Sequence, residues 1–156
     1  MNLTMDDKVA ENYKSNSQKI RVITEQWVSN NLFCPYCGKE KIAHFENNRP
    51  VADFYCLDCA EEYELKSKNG TIENKVNDGA YDTMIKRIES INNPNFFFMN
   101  YNKQDLHVKD FLMVPKYFFS PEIIEKRKPL SDTARRAGWV GCNIVLKQIP
   151  EEGRIF

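Results

Sequence analysis

Four of the five cysteines in this chain form two closely spaced pairs. Two residues separate the members of each pair and eighteen separate the pairs, which lies within the spacing window of zinc ribbons. A tight turn lets both thiolates of a pair reach one ion, and two such turns complete a closed tetrahedral site, typical of structural zinc. The alternatives are a pair of disulfides or a redox motif. The expected zinc ligands are Cys34, Cys37, Cys56 and Cys59.

A second set of chemically capable residues flanks the second cysteine pair. Asp53 lies just before this pair and Glu64-Leu65-Lys66 just after it. In a strand, Glu64 and Lys66 share one face while Leu65 points into the core. Two neighbouring carboxylates need a cation such as magnesium, and a nearby lysine can orient water or stabilise charge on a phosphate. These parts suffice for metal-assisted phosphodiester hydrolysis. The alternative is two exposed edge strands with ordinary surface charges.

The segment 126–136 is a candidate surface for nucleic acid, because it holds five basic residues against one acidic residue. Its Arg135 and Arg136 can contact guanine edges or phosphates. Trp139 offers a flat apolar face to a methyl group or an unstacked base. The alternative for the segment is a solvated loop. From composition alone, the favoured interpretation is that Trp139 belongs to the core and that the two arginines form surface ion pairs.

The elements that must position these residues follow a mixed α/β pattern. An amphipathic helix is predicted from Ser17 to about Asn31, and a second helix over 79–91. The run 96–99 is continuously apolar, which predicts a central strand covered on both sides. The segment 70–78 is polar and rich in turn residues. Further predictions are strands at 50–55, 63–67, 108–114 and 143–146, and a short helix at 121–125.

Length and composition place limits on the class of protein. The 156 residues suffice for one domain that buries a core without disulfides. No apolar run approaches the roughly 20 residues that span a bilayer, so no membrane association is expected. The first residues do not resemble a secretory signal, which predicts a cytoplasmic location. A net charge of zero excludes a uniformly basic protein. Nothing in the sequence indicates an obligate protein partner, and Cys142 is interpreted as a small buried residue.

Several segments, in the same order along the chain, resemble the DpnI family of methyl-directed restriction endonucleases. Together they are far more specific than any single motif, and the resemblance extends from about Tyr13 to Phe156. The segments are 13–19, 47–56, 64–68, 77–81 and 133–139.

This resemblance implies a fold and an activity. The fold is the PD-(D/E)xK mixed sheet flanked by helices, with an inserted four-cysteine zinc site. The activity is magnesium-dependent cleavage of double-stranded DNA at GATC sites that carry 6-methyladenine. Asp53 matches the metal-binding aspartate of the family, Glu64 its second acidic ligand and Lys66 its catalytic lysine. The main-chain carbonyl of Leu65 is the third expected magnesium ligand. With the resemblance, Arg135, Arg136 and Trp139 are expected to contact DNA.

The expected domain organisation is one nuclease domain over 1–156, with its zinc site at 34–59. Members of the family carry a winged-helix domain after the nuclease domain, and we expect none in this chain. Two alternatives to the restriction endonuclease are a non-catalytic zinc-ribbon module that binds DNA and an inactive truncated relic. Metal-dependent cleavage distinguishes the first interpretation from both.

Overall fold

The structure, a computed structural model, describes residues 1–46, 52–71, 74–91 and 93–149. The described residues contain two helices, eight strands and four short 3-10 turns. The helices are α1 (Asn16–Asn31) and α2 (Tyr81–Glu89). The strands are β1 (Ala43–His44), β2 (Phe54–Tyr55), β3 (Glu62–Asn69), β4 (Lys75–Ala80), β5 (Asn95–Asn102), β6 (His107–Val114), β7 (Ile124–Lys126) and β8 (Gly141–Val145). The 3-10 turns are Lys8–Ala10, Lys116–Phe118, Pro121–Ile123 and Leu146–Gln148.

The strands form two sheets. The larger has the order β1-β2-β3-β5-β6, and the smaller has the order β4-β8-β7. Strands β3 and β5 are parallel, whereas the other neighbours are antiparallel. Parallel neighbours need a crossover connection, and here β4 and α2 supply it. The mixed sheet and the two helices confirm the predicted α/β class.

Strand β5 lies at the centre of the fold and is buried on both faces. Phe97 and Met99 join a core cluster that includes Trp27 of α1. Phe96 and Phe98 point the other way, into a second cluster with residues of α2 and of the smaller sheet. Because successive side chains of a strand alternate between its faces, one apolar run serves both clusters. The prediction of a covered central strand is confirmed.

Helix α1 has nearly the predicted bounds. Ser15 precedes it, and the Ser15 Oγ accepts a hydrogen bond from the backbone N–H of Gln18 at 3.4 Å, which caps the helix. Helix α2 is shorter than the predicted 79–91, because residues 79–80 continue β4 and the helix ends at Glu89. In the part of the chain that the structure describes, no helix is long and apolar enough to cross a membrane.

Two short segments contain strands that the sequence analysis does not predict. The segment 70–78 contains the start of β4, whose main chain pairs with the buried strand β8. Val76 is the one branched apolar residue in β4, so the sequence carries little strand signal there. The predicted helix at 121–125 is a single 3-10 turn followed by β7, because Ile124 pairs with Ile144 of β8.

The remaining predicted strands exist with shifted ends. The prediction 63–67 corresponds to β3, and 108–114 corresponds to β6. The prediction 143–146 corresponds to β8, although Leu146 already belongs to a 3-10 turn. Only the last two residues of the predicted strand 50–55 form β2. Residues 50–51 of that prediction and residues 150–156 of the predicted domain lie outside the described residues.

Candidate active site and metal centre

The four paired cysteines lie on two turns of the same kind. In the first turn, the backbone N–H of Gly38 donates to the carbonyl of Cys34 at 2.9 Å. In the second, the N–H of Ala60 donates to the carbonyl of Cys56 at 3.0 Å. Gly38 and Ala60 both have positive φ, at 78° and 62°, a region that favours glycine. Both turns therefore fold back in the same way and bring the two cysteines of each pair together.

The sulfur atoms of the two pairs converge on one point. All four Sγ atoms lie within 4.8 Å of one another, and Cys34–Cys59 and Cys37–Cys56 are separated by 3.6 and 3.5 Å. A tetrahedral zinc with bonds of about 2.3 Å separates its sulfurs by about 3.8 Å. The four cysteines are free thiols, so they form a candidate metal site consistent with zinc. Among the described residues, no other group of three or more Cys, His, Asp or Glu side chains is this close.

Tyr63 connects the metal centre to the larger sheet. Its hydroxyl lies 3.1 Å from the Cys34 Sγ, and its buried ring stacks on Phe97 with centroids 4.7 Å apart. Burial raises the pKa of Cys34, but hydrogen bonds from the Tyr63 hydroxyl and from backbone N–H groups of the turn outweigh burial and lower it to about 7. A zinc ligand must be a thiolate. The next residue along β3 is Glu64, so the metal centre and the acidic strand share a direct link.

Asp53 stands just before β2 and reaches across to β3. Its backbone N–H donates to the carbonyl of Tyr63 at 2.9 Å. Its carboxylate Oδ2 accepts a hydrogen bond from the backbone N–H of Leu65 at 2.8 Å. The antiparallel pairing of β2 and β3 thereby places Asp53 beside the strand that carries Glu64 and Lys66.

Glu64 lies between two cations. Its Oε1 is 3.1 Å from the Nζ of Lys66, and its Oε2 accepts a hydrogen bond from the guanidinium of Arg87 on α2 at 2.8 Å. Glu64 and Lys66 share one face of β3, whereas Leu65 packs against the core. This is the alternation that the strand pattern predicts.

Asp78 of β4 completes the surroundings of Lys66, and the sequence analysis does not single it out. The Lys66 Nζ donates to the Asp78 Oδ1 at 2.7 Å. Burial lowers the pKa of Lys66, but the charges of Glu64 and Asp78 outweigh burial and hold the pKa above its usual range. Lys66 is therefore a firmly charged cation. The signal that could have identified Asp78 is its place in the segment 77–81, one of the segments in which the sequence resembles the DpnI family.

Helix α1 contributes a buried carboxylate near Asp53. Glu25 is 6% exposed, although its place in the helical pattern assigns it to the polar face. Its carboxylate accepts a hydrogen bond from the Arg21 Nε at 2.8 Å and lies 2.7 Å from the His44 Nε2. Arg21 also approaches the Asp53 Oδ1 at 3.7 Å. The spacing of four residues places Arg21 and Glu25 on one helix face.

An open cavity of about 450 Å³ brings these groups together between α1 and β3. From the sheet side it is lined by Asp53, Glu64 and Lys66, and α1 contributes Arg21 and Glu25. The three residues that the sequence analysis selects as catalytic therefore line one cavity.

The electrostatics of this cavity suit a divalent cation. Burial raises the pKa of Asp53, and the charges of Glu25 and Glu64 raise it further, although the Leu65 N–H opposes them. Crowded, half-buried carboxylates are disfavoured as anions, and a bound cation reverses that preference. Carboxylate and carbonyl oxygens are the ligands that magnesium prefers. The carboxylates of Asp53 and Glu64, with the carbonyl of Leu65, are a fitting donor set.

Most of the basic segment 126–136 lies in a closed loop between β7 and β8, the basic loop (residues 127–140). The backbone N–H of Leu130 donates to the carbonyl of Trp139, and the N–H of Gly138 donates to the carbonyl of Leu130, both at 3.0 Å. Gly138 has a φ of 81°, which favours glycine at this turn. Arg135 and Arg136 are exposed, and the Arg136 guanidinium lies 4.7 Å from the centroid of the Trp139 ring. Trp139 is half-buried and belongs to neither core cluster of the described residues.

A comparison with known protein families covers the whole chain. The sequence model described as DpnI, Dam-replacing family, matches residues 1–156. The match therefore includes both cysteine pairs, the residues around the cavity and the basic loop.

Proposed function

The chain belongs to the DpnI family, which implies a nuclease that acts on DNA, and from this premise we propose that it is a type II restriction endonuclease. It hydrolyses phosphodiester bonds of double-stranded DNA at GATC sites that carry 6-methyladenine. In this proposal the larger sheet is the PD-(D/E)xK nuclease sheet. Magnesium is the catalytic metal, and zinc at the four cysteines is structural.

The observation that carries the proposal is the shared cavity of Asp53, Glu64 and Lys66. Asp53 and Glu64, with the carbonyl of Leu65, would hold magnesium. Bound there, magnesium supplies activation of water and stabilisation of charge on the scissile phosphate. The hydrogen bond from the Leu65 N–H to Asp53 fixes the two acidic residues relative to each other.

Lys66 contributes a fixed positive charge. Because two carboxylates hold its pKa above the usual range, its ammonium group cannot take a proton from water. It instead orients the attacking water and stabilises negative charge that develops on the phosphate. Arg87, which binds the other side of Glu64, holds that carboxylate in place.

Recognition of the methylated site is assigned to the basic loop. The exposed side chains of Arg135 and Arg136 supply donors for guanine edges and phosphates, and the face of Trp139 supplies an apolar surface for the methyl group. One buried methyl group contributes only about 0.8 kcal/mol. Strong dependence on methylation therefore requires several contacts, or a penalty against the unmethylated site.

The decisive test is cleavage of two plasmid preparations by the purified protein with magnesium. One plasmid carries adenine-methylated GATC sites and the other carries unmethylated sites. We expect cleavage of the methylated plasmid alone, and no cleavage by Asp53→Ala. The matched control is Asp110→Ala, which removes an exposed aspartate of β6 and should leave cleavage unchanged.

Two other results would contradict the proposal. Equal cleavage of both plasmids would remove the requirement for 6-methyladenine. Binding of methylated DNA by the folded, zinc-loaded protein without any cleavage would favour a non-catalytic DNA-binding module.

A further inference from the structure

Asp78 and Lys66 connect the two sheets of the molecule. Lys66 belongs to β3 of the larger sheet, and Asp78 belongs to β4 of the smaller sheet. Their ion pair is short, at 2.7 Å, and both side chains are largely shielded from water, with 24% and 11% exposure. A shielded ion pair is screened much less by salt than a surface pair. The position of the Lys66 ammonium group is therefore tied to β4.

The Asp78 carboxylate is incompletely satisfied by hydrogen bonds. Its Oδ1 accepts from the Lys66 Nζ and from the backbone N–H of Gly79, each at 2.7 Å. Its Oδ2 is buried and has no hydrogen-bond partner among the described residues. A buried carboxylate oxygen without a partner destabilises the folded state. A role in stability alone is therefore a poor explanation for this residue.

The same end of β4 anchors the basic loop. In the pairing of β4 with β8, Asp78 lies opposite Cys142 and Ala80 lies opposite Gly141, with a register shift between the two pairs. At the start of α2, the backbone N–H of Tyr81 donates to the carbonyl of Val140 at 3.1 Å. The C-terminal end of the loop thus joins β8 directly opposite the residues that follow Asp78.

Trp139 makes this junction tight. Its ring occupies the space that a side chain at position 141 would need, since a Cβ built on Gly141 would lie 2.7 Å from a ring carbon of Trp139. The other end of the loop reaches the same point, because the backbone N–H of Arg127 donates to the carbonyl of Gly141 at 3.0 Å. The Trp139 ring therefore packs directly against Gly141, and Gly141 pairs with Ala80, two residues after Asp78.

We propose that Asp78 is a positioning residue that sets the place of the Lys66 ammonium group and makes that place depend on the state of the basic loop. The inference rests on the proposed function, because it assigns Lys66 to the hydrolysis and the loop to DNA. The inference adds a physical connection between Lys66 and the basic loop. A DNA-induced change at Trp139 reaches Lys66 through Gly141, the β4–β8 pairing and the Asp78 carboxylate.

The kinetic test compares Asp78→Asn with Glu125→Gln on methylated DNA. Glu125, on β7 of the same sheet, binds Lys75 at 2.6 Å and is 42% exposed, so both variants remove one charge from a lysine partner. We expect Asp78→Asn to lower kcat about 10²-fold, which is typical of a misplaced catalytic group, with little change in KM. Glu125→Gln should retain the wild-type kcat. Equal kcat in Asp78→Asn and wild type would overturn the proposal.

A second variant separates position from charge. Asp78→Glu keeps the negative charge and moves the carboxylate by one methylene group. If Asp78 acts by position, Asp78→Glu also loses kcat. If it acts only by charge, Asp78→Glu retains the wild-type kcat, and the positioning role is wrong. Thermal unfolding of each variant shows whether that variant is folded.

The third readout needs neither magnesium nor cleavage. The 15N resonance of the Lys66 ammonium group in the free protein reports its ion pair. We expect Trp139→Ala to shift this resonance in the wild-type background and to have no effect when Asp78→Asn is present. An unchanged resonance in Trp139→Ala would disprove the connection to the loop. If the wild-type protein did not cleave DNA, the proposed function would fail, whereas this resonance would still decide the link between Asp78 and Lys66.

Discussion

Lys66 stands between the carboxylates of Glu64 and Asp78, and this environment determines the role that it can have. A lysine held firmly as a cation can stabilise developing negative charge, but it cannot act as a base. We expect Lys66→Met to lower the single-turnover rate on a methylated duplex by about 10²-fold or more, the usual loss when a donor aimed at developing charge is removed.

The control for this prediction is Lys68→Met. Lys68 lies two residues further along β3 on the same face and is exposed, so the substitution makes the same change of side chain outside the cavity. We expect it to cleave at the wild-type rate. A near-normal rate for Lys66→Met would show that the lysine has no part in hydrolysis.

The pair of His44 and Glu25 makes stability depend on pH. The hydrogen bond to Glu25 raises the pKa of His44 above its ordinary 6.5, although burial opposes it. The contribution of this hydrogen bond to the free energy of unfolding is complete below pH 6.5. It is lost as the pH rises through the raised pKa of His44. The melting temperature of the wild type should therefore fall relative to that of His44→Gln as the pH rises above about 6.5. Parallel curves of melting temperature against pH for the wild type and His44→Gln would contradict this prediction.

Glu25 has the opposite dependence. Burial raises its pKa, but hydrogen bonds with His44 and Arg21 outweigh burial and lower it below the ordinary 4.5. Its contribution to stability is present above pH 4.5 and is lost as the pH falls through the lowered pKa. The neutral range between the two transitions is where the pair stabilises the fold most.

The candidate site shows which residues a sequence can reveal. Asp53, Glu64 and Lys66 could be selected because they flank a cysteine pair and because strand alternation places Glu64 and Lys66 on one face. Residue spacing does not select Glu25 and Asp78, because they come from a helix and from the other sheet, and only the place of Asp78 in the segment 77–81 marks it. Their contacts depend on how distant elements pack, which residue spacing does not encode.

At the scale of elements, the first cysteine turn and β3 act together through Tyr63. Because the Tyr63 hydroxyl bonds to Cys34, removing it should weaken the metal centre while leaving the ring stacked on Phe97. We expect Tyr63→Phe to bind zinc about 10- to 100-fold more weakly, the usual effect of losing a partner of a metal ligand. Competition with a coloured chelator measures this change.

Tyr101→Phe is the matched control for the zinc measurement. Tyr101 is 7% exposed and belongs to the same core cluster, so this variant removes a hydroxyl from the same region without touching a cysteine. Its zinc affinity should equal that of the wild type. Equal affinities for wild type and Tyr63→Phe would show that the hydroxyl does not support the metal centre.

The elements that the sequence predicts well carry strong local signals. Helix α1 has apolar residues at helical spacing and a capping serine, and β5 has a run of apolar residues. Strands β4 and β7 were not predicted, because each pairs with β8 through its main chain and has few apolar residues of its own. Backbone pairing with a distant strand compensates for a weak local pattern, and a single sequence does not show which strand will be the partner.

At the scale of the whole molecule, a chain with no net charge must bind DNA through a local basic surface. The basic loop provides that surface in the proposed function, so its charges should control the salt dependence of binding. Replacing both Arg135 and Arg136 by alanine should reduce the slope of log K against log salt by about 1.8, because each phosphate contact contributes about 0.9. Titration of a methylated duplex in calcium, without cleavage, measures the slope.

The control for this titration is Lys103→Ala. Lys103 is an exposed basic residue in the turn between β5 and β6, away from the loop in the chain. We expect its slope to equal that of the wild type. If the double arginine variant also had the slope of the wild type, the phosphate contacts would lie elsewhere on the molecule.

Strand β5 also predicts how sequences of this type diverge. Phe97 packs against Tyr63 and Phe111, whereas its neighbour Phe96 packs against Phe119. A change of volume at one of these positions is compensated only within its own cluster. Adjacent residues of β5 should therefore be replaced independently during evolution, while residues far apart in the chain, such as 63 and 97, should change together.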